Sequence, residues 1–283
     1  MPAEKTYFLG THDEEIERLG LQHRVWRPTV LECWRRAGIG RGSKVIDLGA
    51  GPGYAAADLA EIVGPAGRVV AVERSARFVE AGRAMLASHG HANVEYHELD
   101  LMTDPLPAGG MDASWCRWVA CFVASPPLLL DKIAAVVRPG GVAIFHEYIQ
   151  YDSLRITTAG PRMREFVRQV EQGWREAGGE PNIAPAVVRL LQERGFSIRD
   201  AIPRVFCARP GDALWQWPAT FIDIHLRHQL EQGRIEASWA EAVRAELAAA
   251  EQQAASLLVT PMVLEIVGEL KGTHPFIFVS GTP

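Results

Sequence analysis

Short apolar runs alternate with segments of helical periodicity over the first half of the chain. The predicted strands are 45–48, 68–73, 94–99, 111–116 and 142–145. The predicted helices of this half are 54–63, 76–89 and 128–137. Strands that alternate with helices form a parallel sheet with helices on both faces. We therefore expect an α/β fold whose functional groups lie beyond the carboxyl ends of the strands.

The segments before and after this alternating region have mainly helical periodicity. Residues 13–36 have a helical period that Pro28 interrupts, so we expect two helices or one kinked helix. In the second half, further helices are predicted at 161–178, 187–195, 212–232, 238–255 and 260–270. The last of these rests on Thr260 and Pro261, which suit the N-cap and the first helical position. Strands are predicted at 196–207 and 276–280.

A glycine-dense turn follows the first predicted strand, with glycines at positions 49, 51 and 53. Glycines let a backbone turn sharply and approach a ligand, and the helix that follows offers unpaired N–H groups. The dinucleotide fingerprint G-x-G-x-x-G is not met, because Tyr54 occupies the third glycine position. This spacing argues against NAD or FAD. The turn alone is also compatible with an ordinary tight connection between a strand and a helix.

The run D-L-G-A-G-P-G at 47–53 resembles the first motif of the class I S-adenosylmethionine-dependent methyltransferases. The fourth predicted strand and the turn R-P-G-G at 138–141 resemble the same family at the expected separation. The resemblance implies a Rossmann-like, seven-stranded, mostly parallel sheet with helices on both faces. N-terminal helices and a C-terminal helical lid are added to it, and the last strand is expected to insert antiparallel beside the sixth.

Three parts are expected from this resemblance. Residues 1–40 form a helical segment over the cofactor site, and 41–150 form the cofactor-binding core. Residues 151–283 supply the remaining strands, with lid or substrate-binding insertions at 151–180 and 211–271. The resemblance covers 7–148 well and the rest only through architecture, so it does not identify an acceptor.

Several side chains fall at the expected strand ends. An acid about 20 residues past the glycines accepts both ribose hydroxyls in nucleotide folds, which is the role expected of Glu73 unless it is an ordinary exposed acid. The resemblance implies that Asp100 binds the adenine amino group and that Leu101 packs on the purine ring. It places Tyr7 and Gln22 near the methionine moiety, although their helix alternatively only packs. The predicted cofactor-binding set is completed by Gly49, Ala50, Gly51, Gly53 and Arg117.

His146 directly follows the fifth predicted strand and is the predicted catalytic base. A base is needed only if the acceptor must lose a proton, and His146 alternatively orients the substrate or packs in the wall. Asp223, His225 and His228 can share one helical face, but three ligands on one helix are a weak metal signal. We therefore predict no metal.

Composition and charge limit the kinds of molecule that the protein is expected to bind. The formal charge is −5, which provides no basic footprint for nucleic acid or an anionic membrane. The four cysteines are scattered without C-x-x-C spacing and indicate free thiols in a reducing compartment. The first residues carry no apolar signal region. We expect a cytoplasmic monomer or homodimer that acts on a small organic molecule.

The predicted activity is transfer of the sulfonium methyl group of S-adenosylmethionine to an O, N or C atom of a small acceptor. Such a displacement needs alignment and exclusion of water more than it needs a nucleophile or a metal. Two alternatives stay open. One is a non-catalytic S-adenosylmethionine-binding sensor or assembly subunit, and the other is an enzyme with another nucleotide cofactor, such as NAD, which Tyr54 disfavours.

Overall fold

The computed structural model describes residues 13–272, which fold around a seven-stranded sheet. The helices in this range are α1 (Asp13–Ala37), α2 (Tyr54–Val63), α3 (Ala76–Ser88), α4 (Pro126–Val136), α5 (Pro161–Glu176), α6 (Ala184–Glu193), α7 (Ala213–Glu231) and α8 (Ala237–Glu251). The strands are β1 (Lys44–Leu48), β2 (Arg68–Glu73), β3 (Val94–Glu98), β4 (Met111–Arg117), β5 (Val137–Gln150), β6 (Arg155–Ile156), β7 (Phe196–Arg204), β8 (Cys207–Ala208), β9 (Leu258–Val259) and β10 (Met262–Leu270).

The strand order in the large sheet is β3-β2-β1-β4-β5-β10-β7. The first five strands of the chain pair in parallel, whereas β10 is antiparallel to both β5 and β7. The order reverses between β1 and β4, and the carboxyl ends of these two strands open onto the same edge. The predicted Rossmann-like, seven-stranded, mostly parallel α/β sheet is confirmed, and its antiparallel strand is β10.

Burial explains why the central strands are apolar at successive positions. Val45, Ile46 and Leu48 of β1 are fully buried, and so are all four residues of 69–72 in β2. Side chains of a strand alternate between the two faces, so a continuous buried run requires cover on both faces. The helices supply that cover, and the core is continuous from α1 to β10.

A second, three-stranded sheet of order β6-β9-β8 joins the segment after β5 to the segments around α7 and α8. Between these segments, α7 packs on α1, and α8 packs on both α5 and α7. The inserted helices α7 and α8 therefore pack mainly on other helices, and Trp217 of α7 also stacks on Trp118, directly after β4.

Two expectations differ from the structure. The helix predicted at 260–270 is wrong, because Met262–Leu270 forms β10. The N-cap signal of Thr260 and Pro261 is overridden by pairing on both sides, with β5 and β7, which places Val263, Ile266 and Val267 in the core. The strand predicted at 276–280 lies outside the described residues.

Residues 13–37 form one helix, α1, with Pro28 inside it, and not the two helices that were one of the expected alternatives. The predicted boundaries of α2 and β2 coincide with those observed. Within residues 13–272, no helix combines the length and the apolarity that crossing a bilayer requires.

Candidate cofactor and acceptor site

The glycine loop, residues 49–53, connects β1 to α2 at the strand ends. Gly49 and Gly51 have φ angles of +69° and +56°, which an L side chain rarely adopts. A Cβ atom on Gly49 would overlap the Val119 side chain, whereas a Cβ atom on Gly51 would meet only Leu19 Cδ1 at 4.0 Å. Gly49 is therefore required for packing, and Gly51 leaves open space into which a ligand fits.

The remaining residues of the glycine loop fix its path. The N–H groups of Gly49 and Ala50 both donate to the Val72 carbonyl, at 2.8 and 3.0 Å. The Gly53 N–H donates to the Ala50 carbonyl at 3.0 Å, and α2 begins directly after it. These bonds tie the loop to the end of β2, so the predicted loop residues and Glu73 lie together.

Glu73 ends β2 beside the glycine loop. Its Oε2 accepts the Gly51 N–H at 3.1 Å, and its Oε1 accepts the N–H groups of Arg74 and Ser75 at 2.9 Å each. Burial raises the pKa of this carboxyl, and the three backbone donors oppose the rise. Because carboxylate oxygens accept more than one bond each, the group retains capacity for ligand hydroxyls.

Asp100 and Leu101 lie in a tight turn after β3. Asp100 Oδ1 accepts the Met102 N–H at 2.7 Å, and the Asp100 N–H donates to Asp104 Oδ2 at 2.8 Å. Lys132 of α4 donates to the carbonyls of Leu101 and Asp104 at 2.6 Å each. The turn is thus held in shape from α4, with Leu101 buried at 8% exposure.

Arg117 ends β4, next to β1 in the sheet. Its guanidinium carbon lies 5.9 Å from the Trp115 ring centroid and 5.3 Å from that of Trp118. Its Nη2 lies 3.3 Å from Nδ1 of His23, while Nη1 is buried and has no hydrogen-bond partner among residues 13–272. Burial lowers the pKa of Arg117 to about 10, and the neighbouring Asp47 carboxylate opposes this change.

Three further polar residues beside this guanidinium were not predicted as site residues. His23 Nε2 lies 3.0 Å from Asp58 Oδ2, and Asp58 also accepts from Arg27 Nε at 2.8 Å. Asp47, the acid of the D-L-G run, is 2% exposed, and its Oδ2 lacks a hydrogen-bond partner in the described range. Burial raises its pKa to about 7, Arg117 opposes the rise and Glu73 adds to it. The motif contains Asp47, but no sequence signal links His23 to Asp58.

The first half of α1 contacts the glycine loop and the start of α2. The Tyr54 hydroxyl donates to the Ile16 carbonyl at 3.2 Å, and Leu19 lies across from Gly51. Gln22 Oε1 accepts from Arg18 Nη1 at 3.1 Å and from Trp217 Nε1 of α7 at 3.0 Å. Gln22 therefore connects the cofactor side to the inserted helices. The predicted residue Tyr7 lies outside the described residues.

The chain leaves β4 through a strained residue. Trp118 has a φ of 51°, unusual for a bulky side chain, and its N–H donates to the His146 carbonyl at 2.9 Å. Glu147 Oε1 accepts the next two N–H groups, of Val119 and Ala120, at 2.9 and 2.8 Å. The dipeptide His146–Glu147 of β5 thus holds Trp118 in place at the strand ends.

Trp118 is the middle ring of an aromatic stack. Its centroid lies 5.6 Å from that of Tyr148 and 5.7 Å from that of Trp217, with interplanar angles of 20° and 24°. Trp26 of α1 meets both tryptophans edge-on, at 5.3 and 5.4 Å. The stack joins α1, β5 and α7 to the residue that directly follows β4.

His146 points into the interior between α1 and the sheet. Its ring is fully buried, 4.9 Å from the Trp115 centroid and 6.2 Å from that of Trp26. Its Nε2 lies 3.2 Å from Glu265 Oε2 of β10, and burial holds its pKa well below the ordinary value. The predicted catalytic role of His146 stays a prediction, for an imidazole that is neutral and enclosed.

Two sets of side chains contain residue types that can ligate a metal. Asp223 accepts from Arg244 Nε at 3.0 Å, and the His225 side chain is buried. Within residues 13–272, only Cys33, His146 and Glu265 place ligand atoms within 4.8 Å of one another. Arg36 and Arg204 both bind Glu265, and their positive charges oppose a cation there.

The residues around the glycine loop fit S-adenosylmethionine. Gly51 leaves room for a ligand against the backbone, and Glu73 supplies acceptors for hydroxyl groups. At the other end, two buried polar atoms lack partners in the described part of the chain, Asp47 Oδ2 and Arg117 Nη1. Unsatisfied buried groups are costly, so their presence beside a loop with open space indicates a ligand with complementary charges.

Known proteins that resemble this chain include methyltransferases. Residues 46–145 match the model of a family described as a methyltransferase domain. The chain is 27% identical over 127 residues to a ubiquinone/menaquinone biosynthesis C-methyltransferase of Hahella chejuensis, covering 44% of this chain and 50% of that protein. It is 31% identical over 163 residues to a 37.1 kDa transposon-encoded protein of Streptomyces fradiae, covering 57% of this chain and 46% of that one.

A putative methyltransferase of Bacillus halodurans has a similar fold, with a TM-score of 0.56 and 15% identity. The match covers 86% of this chain and 98% of that structure. At this identity the likeness shows the fold alone. The chain spans about half the length of the curated relatives that it matches.

Proposed function

We propose that the chain is a class I S-adenosylmethionine-dependent methyltransferase, which transfers a methyl group to an O, N or C atom of a small organic acceptor. One observation carries the proposal. Glu73 at the end of β2 is bonded to the N–H of Gly51, the loop glycine with open space beside it. The carboxylate that can bind the ribose hydroxyls is therefore hydrogen-bonded to the loop that lets a ligand approach the backbone.

Each residue of the site has a proposed role toward the cofactor. Glu73 accepts the ribose hydroxyls, while Asp100 and Leu101 hold the adenine in the turn fixed by Lys132. The loop residues Gly49, Ala50, Gly51 and Gly53 form the floor. Arg117 and Gln22 lie toward the methionine end, beneath α1. Tyr7 is proposed for the same end on the family resemblance alone.

The bound cofactor supplies a methyl group on a sulfonium, which is already a good leaving group. The chain has to orient the acceptor and exclude water. Trp118 and Trp217 are suited to both tasks, because they are 8% and 4% exposed and lie where β4 opens from the sheet. An aromatic wall of this kind suits a flat or apolar acceptor.

One of the three possible acceptor atoms has support from a relative. The relative from Hahella chejuensis is named a C-methyltransferase, which supports carbon among the three possible atoms. If the acceptor must lose a proton, the proposed base is His146. An acceptor reaches this ring only if Trp26 or Trp115 moves, since the ring is fully buried between them.

His146→Gln separates catalysis from packing. A base contributes about 10²- to 10⁴-fold to the rate, so a catalytic role predicts a fall in kcat of that order with unchanged cofactor affinity. A packing role predicts a lower melting temperature and an unchanged kcat per folded molecule. Phe145→Leu, a change at the neighbouring buried position, is the control for a loss of core packing.

A second candidate function is binding of S-adenosylmethionine without catalysis. The observation in its favour is that Trp118 is only 8% exposed and is packed against Tyr148, Trp217 and the Arg117 guanidinium, which leaves little of its ring open to an acceptor. Such a sensor retains the contacts of Glu73 and Asp100 and shows no turnover with any acceptor.

Titration calorimetry with S-adenosylmethionine, S-adenosylhomocysteine and NAD tests the proposal. We expect micromolar binding of the two sulfur compounds, lost in Glu73→Ala. Glu98→Ala is the matched control, because Glu98 pairs with Glu73 in register at the end of β3 but is exposed. Binding of NAD alone would overturn the assignment. An acceptor screen by mass spectrometry then distinguishes an enzyme from a sensor.

A further inference from the structure

We propose that His23 is a positioning residue, which is held by Asp58 and which aims the Arg117 guanidinium at the carboxylate of the cofactor. This inference rests on the proposed function, since it assumes that S-adenosylmethionine binds at the glycine loop. It adds a residue from α1 that no motif identifies, and it makes cofactor binding depend on the charge of one imidazole.

A chain of four side chains carries the proposal. Arg27 and His23, both on α1, contact the same Asp58 oxygen of α2 at 2.8 and 3.0 Å. The other ring nitrogen of His23 lies 3.3 Å from Arg117 Nη2 of β4. The imidazole is 5% exposed and stacks on Tyr54 at 6.0 Å, so packing fixes the ring plane.

The partners determine the tautomer of His23. Ionised Asp58 only accepts hydrogen bonds and Arg117 only donates them. His23 therefore carries its proton on Nε2, toward Asp58, and presents the lone pair of Nδ1 to Arg117. In this state the ring accepts one bond from the guanidinium and holds its plane, while the buried Nη1 keeps its hydrogen-bonding capacity for a ligand.

The position of Arg117 indicates what Nη1 binds. The segment after Arg117 packs on the glycine loop, because Val119 occupies the space beside Gly49. S-Adenosylhomocysteine carries one anionic group, its α-carboxylate, and a buried guanidinium beside the loop is complementary to that group. The structure thus assigns the cofactor carboxylate to Arg117 and the orientation of Arg117 to His23.

Protonation of His23 breaks this arrangement. An imidazolium carries N–H groups on both nitrogens, so Nδ1 then faces another donor and a like charge at 3.3 Å. Four groups face the ring: Asp58 and Tyr54 from α2, Arg117 from β4, and Arg27 from α1. Burial lowers the pKa of His23 below 6.5, the Asp58 hydrogen bond opposes this, and Arg117 and Arg27 add to it. His23 is therefore neutral at neutral pH, and its hold on Arg117 is lost in acid.

Two substitutions of His23 distinguish the effect of its hydrogen-bond acceptor, Nδ1, from the effect of its ring shape. Asn at position 23 places an amide oxygen near the site of Nδ1 and does not titrate, whereas Phe retains the ring shape without an acceptor. We expect His23→Phe to weaken S-adenosylhomocysteine binding about tenfold at neutral pH. His23→Asn is expected to stay within about threefold of wild type at neutral pH, and to lose less affinity than wild type as the pH falls from about 8 to about 5.

The ligand provides a second control. Methylthioadenosine shares the nucleoside and sulfur but lacks the carboxylate, so His23→Phe and Arg117→Met are expected to leave its affinity unchanged. Calorimetric titrations of both ligands with each variant, together with melting temperatures, form the experiment. Equal affinity of His23→Asn and His23→Phe, or equal losses for both ligands, would overturn the inference. If wild type binds neither ligand at any pH, the proposed function fails first and the inference with it.

Discussion

Gly49 and Gly51 both have left-handed backbone conformations, yet substitution by Ala is expected to affect stability and ligand binding differently at the two positions. For Ala, this conformation costs about 1 kcal/mol after allowing for the stiffer unfolded chain. At Gly51 nothing is added to this cost, because the nearest atom to the new Cβ is 4.0 Å away. At Gly49 the Cβ overlaps Val119, and overpacking of this kind costs about 1–3 kcal/mol more.

The two variants therefore separate stability from binding. Gly49→Ala is expected to lose about 2–4 kcal/mol and roughly 5–15 °C in melting temperature, and Gly51→Ala about 1 kcal/mol and roughly 2–4 °C. In contrast, Gly51→Ala is expected to weaken S-adenosylhomocysteine binding at least tenfold, because its methyl group occupies the open space proposed for the ligand. Thermal unfolding and calorimetry measure both properties. Wild-type affinity in a folded Gly51→Ala protein would refute the placement of the cofactor.

Two further predictions concern the residues that hold the acceptor side. Burial raises the pKa of Glu147 from 4.5 to about 7, so its contribution to stability is complete below pH 4.5 and is lost as the pH rises through about 7. Glu147→Gln keeps an oxygen for the N–H groups of Val119 and Ala120 but does not titrate. The free energy of unfolding of this variant minus that of wild type, measured with urea, is expected to rise by up to about 3 kcal/mol from pH 5 to pH 8. An unchanged difference at the two pH values would contradict this. The bond between Trp217 and Gln22 is tested by a double-mutant cycle of Trp217→Phe and Gln22→Ala, with an expected coupling of about 1 kcal/mol; strictly additive losses would show that the bond does not stabilise the fold.

Local signals explain which elements were predictable. The boundaries of α2 and β2 were predicted to the residue, because glycines flank the helix and an apolar run ends at Glu73. The fold followed from the alternation of such elements. The strand β10 was missed because its decisive interactions are with β5 and β7, more than 50 residues away along the chain. Pairing at that distance leaves no trace in a window of ten residues.

The same distinction applies to the site. The predicted positions of Glu73 and the glycine loop meet in the structure, as their strand-end positions required. The contacts of His23 could not be predicted, because its partners Asp58 and Arg117 lie 35 and 94 residues away. Which face of α1 meets the sheet depends on the packing of Trp26 and Trp34, and a helical period alone does not fix it.

The residues proposed to bind the cofactor and those proposed to face the acceptor come from different parts of the chain. The residues proposed for the ribose and the adenine all lie within 46–145, the range matched by the methyltransferase-domain family. The wall around Trp118 is built differently, since Trp26, Tyr148 and Trp217 come from outside that range. Similarity within 46–145 therefore supports the cofactor and carries little information on the acceptor. An acceptor screen is best guided by substitutions in α1 and α7, where exchange of Trp217 alters the wall without touching the glycine loop.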